Sequence, residues 1–145
     1  MKNSKDELVG MAMLFARDRH RGQLDDSGKP FFYHVSQVAE ILMKVTSDPE
    51  IIAAAYLHDT LEDTKTTYSE LWHLFGRRVA DLVNEVTHEG NKTSGYYFPR
   101  LQSRDGILIK FADRLSNLSR MEPWSEKRRS HYLKRSKFWK SEKQT

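Results

Sequence analysis

The chain contains no cysteine among its 145 residues. This absence excludes disulfide bonds, metal sites built on thiolates and catalysis by a cysteine nucleophile. A bound metal would have to be held by histidine, aspartate or glutamate side chains, or by main-chain oxygens. The possible metal chemistry is therefore restricted to nitrogen and oxygen ligands.

Long hydrophobic runs are missing as well. No stretch approaches the roughly 18 to 20 apolar residues of a membrane span, and residues 1–6 are not followed by the apolar segment of a signal peptide. We therefore expect a soluble, cytoplasmic protein with no membrane partner. Sustained alternation of β-branched residues is also absent, which argues against a fold built on β-sheets.

Most of the chain lacks a strong charge of either sign. The formal net charge is +4, but residues 125–145 alone hold eight Lys/Arg against two Glu. Residues 1–124 hold 16 basic and 18 acidic residues, so the basic character belongs to the C-terminal segment. A solvated helix face is one interpretation of that segment, and contact with an anionic substrate, a partner chain or nucleic acid is the other. We do not expect nucleic acid to be the main partner.

Apolar residues recur at helical spacing along most of the chain. Capping boxes at residues 4–7 and 67–70 and the pair Asp48-Pro49 mark three helix starts. Gly76 and Pro123 mark two helix ends. The predicted helices cover about residues 4–20, 34–45, 49–57, 68–75, 77–87, 96–102, 107–121 and 125–140.

A chain of 145 residues fits one domain of ordinary size. We predict that residues 1–145 form a single all-α domain, a compact orthogonal helical bundle. Its motif-bearing core spans about residues 12–121 and is followed by a basic helix over about residues 125–140. The sequence does not determine the oligomeric state.

The most informative motif is the pair His58-Asp59, which is followed closely by Glu62-Asp63. If the helix over residues 49–57 continues, Asp59 and Asp63 lie at i and i+4, as do His58 and Glu62, so neighbouring stripes of one helix carry all four side chains. Burying four such groups without counterions is costly. A bound divalent cation is the simplest compensation.

Asp113 is a second candidate ligand, because it interrupts a markedly apolar helix. A buried ion pair with Lys110 or Arg114 is the structural alternative for this aspartate. His34 lies where a loop enters a helix.

Four side chains therefore offer two nitrogens and two carboxylates to one ion, namely His34, His58, Asp59 and Asp113. Such a ligand set suits Mn²⁺, Fe²⁺ or Zn²⁺, with positions left open for water and substrate.

The order of these motifs resembles that of the HD-domain phosphohydrolases, and within them the hydrolase domain of the Rel/Spo family and its small single-domain relatives. The resemblance extends over roughly residues 12–121. It runs through residues 16–20, 22–23, 27–30 and 34, and then through 53–64, 75–76, 86–87 and 109–117. It implies an HD-type bundle and an Mn²⁺-dependent enzyme, a guanosine-3′,5′-bis(diphosphate) 3′-diphosphatase, which removes the 3′-diphosphate from guanosine tetra- or pentaphosphate (ppGpp or pppGpp).

The resemblance also implies roles for individual residues. The metal ligands fall on His34, His58, Asp59 and Asp113. The catalytic carboxylate pair falls on Glu62 and Asp63, and the nucleotide-contacting asparagine falls on Asn117.

Further substrate contacts are expected from four side chains. Lys110 and Arg114 are predicted to neutralise phosphate charge, with pairing to Asp113 as the alternative role. Tyr97 and Arg100 could supply stacking and phosphate contacts, with a purely structural role as the alternative. The remaining histidines are predicted to be surface or packing residues, namely His20, His73, His88 and His131.

Two departures from the family pattern leave the substrate open. Asp25-Asp26 stands where the family usually has an Arg-Lys pair, and His88 stands where a lysine is common. Two acids in place of two bases repel a polyphosphate unless a cation intervenes. Hydrolysis of another small phosphorylated nucleotide is therefore the alternative function, and a catalytically weak nucleotide- or nucleic-acid-binding module is the second alternative.

Overall fold

Seven α-helices and one short β-hairpin make up the part of the chain that the structure, a computed structural model, describes. That part covers residues 4–91, 95–97 and 100–119, and only the backbone of the hairpin is described. The helices are α1 (Ser4–Arg19), α2 (Phe32–Met43), α3 (Pro49–Leu57), α4 (Thr60–Asp63), α5 (Tyr68–Phe75), α6 (Arg77–Val86) and α7 (Arg104–Leu118). The strands are β1 (Glu89–Asn91) and β2 (Gly95–Tyr97).

Helix α3 lies at the centre of the core. The Asp48 side chain accepts a hydrogen bond from the Glu50 N–H at 2.9 Å, and Pro49 occupies the first turn, as the sequence predicts. Every residue from 51 to 57 is buried, and helices α1, α2, α6 and α7 all pack against α3. A helix that is apolar on all sides is stable only when other helices surround it.

Helices α5 and α6 pack together on one side of this core. Thr67 caps α5 by accepting a hydrogen bond from the Glu70 N–H at 3.1 Å. Gly76 separates the two helices with a φ of +93°, a conformation that suits glycine. The predicted helix start at Thr67 and the predicted break at Gly76 are confirmed, but the Glu70 side chain pairs with Arg19 and so does not complete the capping box.

The predicted helix over residues 96–102 is wrong. Gly95–Tyr97 forms strand β2, which pairs antiparallel with Glu89–Asn91 and places Tyr97 opposite Glu89. Consecutive tyrosines favour a strand over a helix. The all-α class is confirmed, since the hairpin adds only three residues in each strand.

Other boundaries differ by a few residues. Helix α2 begins at Phe32, slightly before the predicted start, and α7 begins at Arg104 with Ser103 as its cap. The predicted basic helix over residues 125–140 and the end of the predicted domain lie outside the described residues. None of the helices described here is long and apolar enough to cross a membrane.

The start of α7 is fixed by Glu85, a nearly buried residue of α6. One carboxylate oxygen of Glu85 accepts hydrogen bonds from the Gln102 N–H at 3.1 Å, the Ser103 N–H at 2.7 Å and the Ser103 hydroxyl at 2.8 Å. The Ser103 hydroxyl oxygen also accepts a hydrogen bond from the Gly106 N–H at 2.9 Å. Helix α7 is therefore held in place by a charged group of α6.

We predict that Gly106→Ala destabilises the protein. A Cβ atom at this position overlaps the Glu85 carboxylate, whose three hydrogen bonds resist displacement. Overpacking of this kind costs about 1 to 3 kcal/mol. The matched control is Gly10→Ala in α1, where a Cβ meets no atom within 4 Å, and it should stabilise the helix by about 0.5 to 1 kcal/mol. Urea unfolding of both variants measures the difference, and equal stabilities would contradict the role of Glu85.

Candidate metal centre and active site

Four side chains from four places in the chain meet at one point. His34 lies in the first turn of α2, His58 directly follows α3, Asp59 precedes α4, and Asp113 lies in the middle of α7. Helices α2, α3 and α7 pack against one another. Each of the four residues places one ligand atom within 4.8 Å of the others. The predicted ligand set is thus brought together.

The distances describe a compact group of two imidazoles and two carboxylates. His34 Nε2 lies 3.0 Å from Asp113 Oδ1, and His58 Nε2 lies 3.0 Å from Asp59 Oδ2. The crossed pairs are similar, at 3.3 Å for His58 with Asp113 and 3.5 Å for His34 with Asp59. Both histidines are buried, with exposed fractions of 2% and 1%. Two nitrogens and two oxygens of this kind fit a divalent first-row metal ion.

The pair His58-Asp59 lies in a turn between α3 and α4, so the helix does not continue through it and the four side chains do not lie along one helix. The His58 Nδ1–H donates to the Ala55 carbonyl at 2.7 Å, and the Thr60 hydroxyl donates to the Leu57 carbonyl at 2.7 Å. The Thr60 hydroxyl thus satisfies a carbonyl at the end of α3, and the His58 ring adds a second donor to the Ala55 carbonyl, which also accepts from the His58 backbone N–H at 3.4 Å. Asp59 has φ −102° and ψ 1°, outside the helical region. The turn directs both side chains toward α7.

Hydrogen bonds on the far side of each imidazole fix its orientation. The Ser116 hydroxyl donates to Gln37 Oε1 at 2.7 Å, so its oxygen accepts from the His34 Nδ1–H at 2.9 Å. His58 makes the equivalent bond to a carbonyl oxygen. In both rings this tautomer leaves Nε2 as the atom with a free lone pair, which is the arrangement expected of metal-ligating histidines. Sequence reasoning missed Ser116 and Gln37, although Ser116 is a polar residue on the apolar face that carries Asp113.

Lys110 pairs with Asp113 through the carboxylate oxygen that faces away from the histidines. Its Nζ lies 3.3 Å from Asp113 Oδ2, and the lysine is only 3% exposed. The geometry thus supports the alternative role for Lys110, that of a partner to a metal ligand. Arg114 is partly buried on the same helix, and Asn117 is partly exposed one turn after Asp113.

Opposite charges in this buried group shift each other's pKa. Burial lowers the pKa of His58, but Asp59 and Asp113 outweigh it and raise that pKa well above the usual value. Burial raises the pKa of Asp113, but Lys110 and the two histidines outweigh it and hold that pKa well below the usual value. Both carboxylates therefore stay ionised, and protons on the imidazoles balance them when no cation is bound.

The carboxylates of Glu62 and Asp63 are held by different partners. Glu62 accepts hydrogen bonds from the His88 backbone N–H and ring Nδ1–H, each at 2.7 Å. The Gln23 side chain approaches Asp63 and acts to lower its pKa. Partial burial, together with the negative charges of Asp59 and Glu62, raises the pKa of Asp63 to about 6. Asp63 is also exposed to solvent, and water screens part of that effect.

His20 is a buried histidine close to the His/Asp group. It is 2% exposed, and its Nδ1–H donates to Gln23 Oε1 at 2.9 Å, which orients the amide that reaches Asp63. Burial lowers the pKa of His20, so its ring is neutral. His20 packs against Phe31, whereas His88, for which a surface or packing role was predicted, contacts Glu62.

Arg100 contacts the protein backbone. Its Nε donates to the Asn84 carbonyl at 3.0 Å, and its Nη2 donates to the Thr87 carbonyl at 3.2 Å, which caps the end of α6. This geometry supports the structural alternative for Arg100. Tyr97 is placed in β2 by its backbone, and its side chain lies outside the described residues.

Asp25 has a local structural role in the loop before α2. Its Oδ1 accepts hydrogen bonds from the Ser27 N–H at 2.8 Å and the Lys29 N–H at 3.0 Å, which closes the turn. Asp26 is exposed beside it. The loop that departs from the family pattern is therefore stabilised by one of its two acids.

A helical bundle with a buried group of two histidines and two aspartates is the architecture of a metal-binding helical domain. Comparison with known proteins identifies the family. Residues 12–96 match the HD domain family, which is more than half of the chain. The chain belongs to the HD-domain family, and the resemblance seen in its motifs is confirmed.

Individual relatives make the comparison more specific. The chain is 37% identical to the guanosine-3′,5′-bis(diphosphate) 3′-pyrophosphohydrolase MESH1 of Danio rerio, over 92% of this chain and 82% of that protein. It is 36% identical to a guanosine-3′,5′-bis(diphosphate) 3′-pyrophosphohydrolase of Aquifex aeolicus, over 88% of this chain but only 20% of that protein. The chain thus spans about a fifth of the first curated relatives that it matches.

A solved structure shows the same fold. It belongs to a metazoan ortholog of SpoT described as hydrolysing ppGpp, and it superposes with a TM-score of 0.78 at 29% identity. The match covers 94% of this chain and 84% of that one.

We predict that metal binding releases protons and weakens as the pH falls. The raised pKa values of His34 and His58 keep protons on these rings in the metal-free protein, and a cation must displace them. The stability that these protons contribute is present below the ordinary histidine pKa and is lost as the pH rises through the raised values. Titration calorimetry with Mn²⁺ in buffers of different ionisation enthalpy measures the released protons. Release of none at pH 7 would contradict the assignment.

We predict that Ser116→Ala weakens metal binding by about 10-fold, within the 10- to 100-fold range typical of partners behind a ligand. The substitution leaves the His34 Nδ1–H unpaired in a buried position. Ser119→Ala is the control. The Ser119 hydroxyl accepts a hydrogen bond from Gln37 Nε2 at 3.4 Å and donates to the Ser116 carbonyl, so its link to His34 is indirect. Calorimetric affinities that are equal for both variants would oppose an orienting role for Ser116.

Proposed function

We propose that this protein is a divalent-metal-dependent hydrolase that removes diphosphate from the 3′ position of a guanosine polyphosphate, ppGpp or pppGpp, with Mn²⁺ as the metal. The observation that carries the proposal is the buried group of two imidazoles and two carboxylates within 4.8 Å of one another. The similarity to a small 3′-pyrophosphohydrolase over most of both chains supports the substrate class.

The metal would be held by His34, His58, Asp59 and Asp113. A divalent cation at such a site polarises a phosphate oxygen and lowers the pKa of a bound water from about 16 toward about 7. The acidic surroundings explain why a cation is needed, because a phosphate substrate is otherwise repelled by Asp59 and Asp113. Lys110 balances part of the charge of Asp113 and keeps one of its oxygens turned toward the metal position.

Glu62 and Asp63 would divide the proton transfers. Glu62 is held as a carboxylate that accepts two hydrogen bonds, which suits a group that orients the attacking water and takes up its proton. Asp63, whose pKa is raised by burial and by the neighbouring carboxylates, would return a proton to the leaving diphosphate. Asn117 and Arg114 on α7 are the proposed contacts to the nucleotide.

A second candidate is hydrolysis of another small phosphorylated nucleotide, and the Asp25-Asp26 loop favours it. Asp25 is fixed by two backbone donors, and Asp26 is exposed. This loop offers acidic charge where the resemblance leads one to expect bases, so it favours a substrate that carries less negative charge. A non-catalytic role in binding anions through residues 125–140 is the remaining alternative.

A screen of nucleotides with the full chain and added Mn²⁺ tests the proposal. We expect release of diphosphate from ppGpp, with no release after the metal is removed by a chelator. Orthophosphate from mononucleotides without turnover of ppGpp would support the second candidate. Binding without hydrolysis under any divalent metal, lost when residues 125–145 are deleted, would support the non-catalytic role.

Substitutions separate metal binding from chemistry. Asp59→Ala and Asp113→Ala should each lose both bound metal and turnover, whereas Glu62→Gln should keep the metal and lose rate. Asp105→Ala is the matched control on α7, because Asp105 pairs with Arg78 at 2.9 Å near the surface. Full activity of Asp113→Ala would overturn the ligand set.

A further inference from the structure

His88 is the single residue that separates helix α6 and its cap from strand β1. Thr87 closes the helix, with its hydroxyl donating to the Val83 carbonyl at 2.8 Å, and the ladder of the hairpin begins at Glu89. Neither element uses the His88 backbone N–H. This donor is directed instead to Glu62, which lies 26 residues earlier in the chain.

The two donors of His88 reach different oxygens of the same carboxylate. The backbone N–H bonds to Glu62 Oε1 at 2.7 Å, and the ring Nδ1–H bonds to Oε2 at 2.7 Å. The Glu62 side chain is 12% exposed and the His88 side chain 29%. Hydrogen bonds to an ionised group are strongest when water is largely excluded. A glutamate side chain with three rotatable bonds is thereby held in one orientation.

The segment that carries His88 is itself fixed from the other side. Arg100 donates to the Asn84 and Thr87 carbonyls and ties the end of α6 to the chain that follows the hairpin. The backbone at His88 is therefore held in place. One of its donors is the backbone N–H, and the other is carried by a side chain with only two rotatable bonds.

We propose that His88 is a positioning residue for Glu62, which aligns the carboxylate for its work on the attacking water through paired donors on its two oxygens. This inference rests on the proposed hydrolytic function. A lysine at this position has the same backbone donor, but its ammonium is attached by four flexible carbons. The histidine gives this chain a more rigid support for the carboxylate than a lysine would.

The kinetic test is a double-mutant cycle in the metal-loaded full chain. His88→Ala should lower kcat by about 10-fold, the effect of one charge-assisted hydrogen bond, with KM and metal affinity unchanged. In the Glu62→Gln background the same substitution should change kcat by less than about 2-fold, because the two residues act as a unit.

His88→Asn should restore most of the rate, since its amide nitrogen occupies the position of Nδ1. His73→Ala, at an exposed histidine of α5, is the matched control.

Additive losses in the cycle, full activity of His88→Ala, or a His88→Asn variant no better than alanine would overturn the proposal. The contact is also tested without any substrate by hydrogen exchange. The His88 amide should be protected in the wild-type chain and lose protection in Glu62→Ala but not in Glu40→Ala, an exposed glutamate of α2. An unprotected His88 amide overturns the contact. Absence of ppGpp turnover with that protection intact overturns only the proposed substrate, and the cycle is then run on the nucleotide that is hydrolysed.

Discussion

The structure depends on a charge balance maintained inside an apolar bundle. Asp59 and Asp113 are placed among helices whose neighbouring side chains are hydrophobic, where an unpaired carboxylate is strongly disfavoured. Two imidazoles face these carboxylates at about hydrogen-bonding distance, and Lys110 approaches from behind. Without a cation the balance is provided by protons on the imidazoles, and with a cation it is provided by the metal. The arrangement of two carboxylates, two imidazoles and one lysine therefore explains why the carboxylates can be buried. It also explains why the site favours a cation.

Hydrogen bonds around the His/Asp group orient its four side chains, so the packing of the helices determines the geometry of the ligands. Ser116 and Gln37 orient His34, the Ala55 carbonyl orients His58, and Lys110 turns Asp113. The positions of the helices that carry these groups are fixed in turn, as where Glu85 holds Ser103, the cap of α7. The geometry of the four candidate ligands thus depends on residues that lie outside the group itself. This is why polar side chains are found inside an otherwise apolar core.

The sequence alone was sufficient for the features that depend on local chemistry. Helical periodicity, the caps at Asp48 and Thr67 and the break at Gly76 follow from side chains within a few residues of each other. The four candidate metal ligands, which the structure brings together, were proposed from residue type and by resemblance. The turn at His58-Asp59 was not predicted. A helix that continues through these residues and one that ends before them have the same pattern of apolar residues. The roles of Ser116 and His88 were missed for a different reason, since their partners are 82 and 26 residues away.

The order in which the ligands occur along the chain has a consequence for folding. His34 and His58 are supplied early, but Asp113 lies 55 residues after His58, on the last helix that is described. Closing so long a loop is slow compared with forming the local helices. A nascent chain that ends before α7 offers an ion only part of its coordination. With the four proposed ligands, complete coordination of a metal requires the finished bundle, so a loaded site would mark a chain whose distant segments have already met.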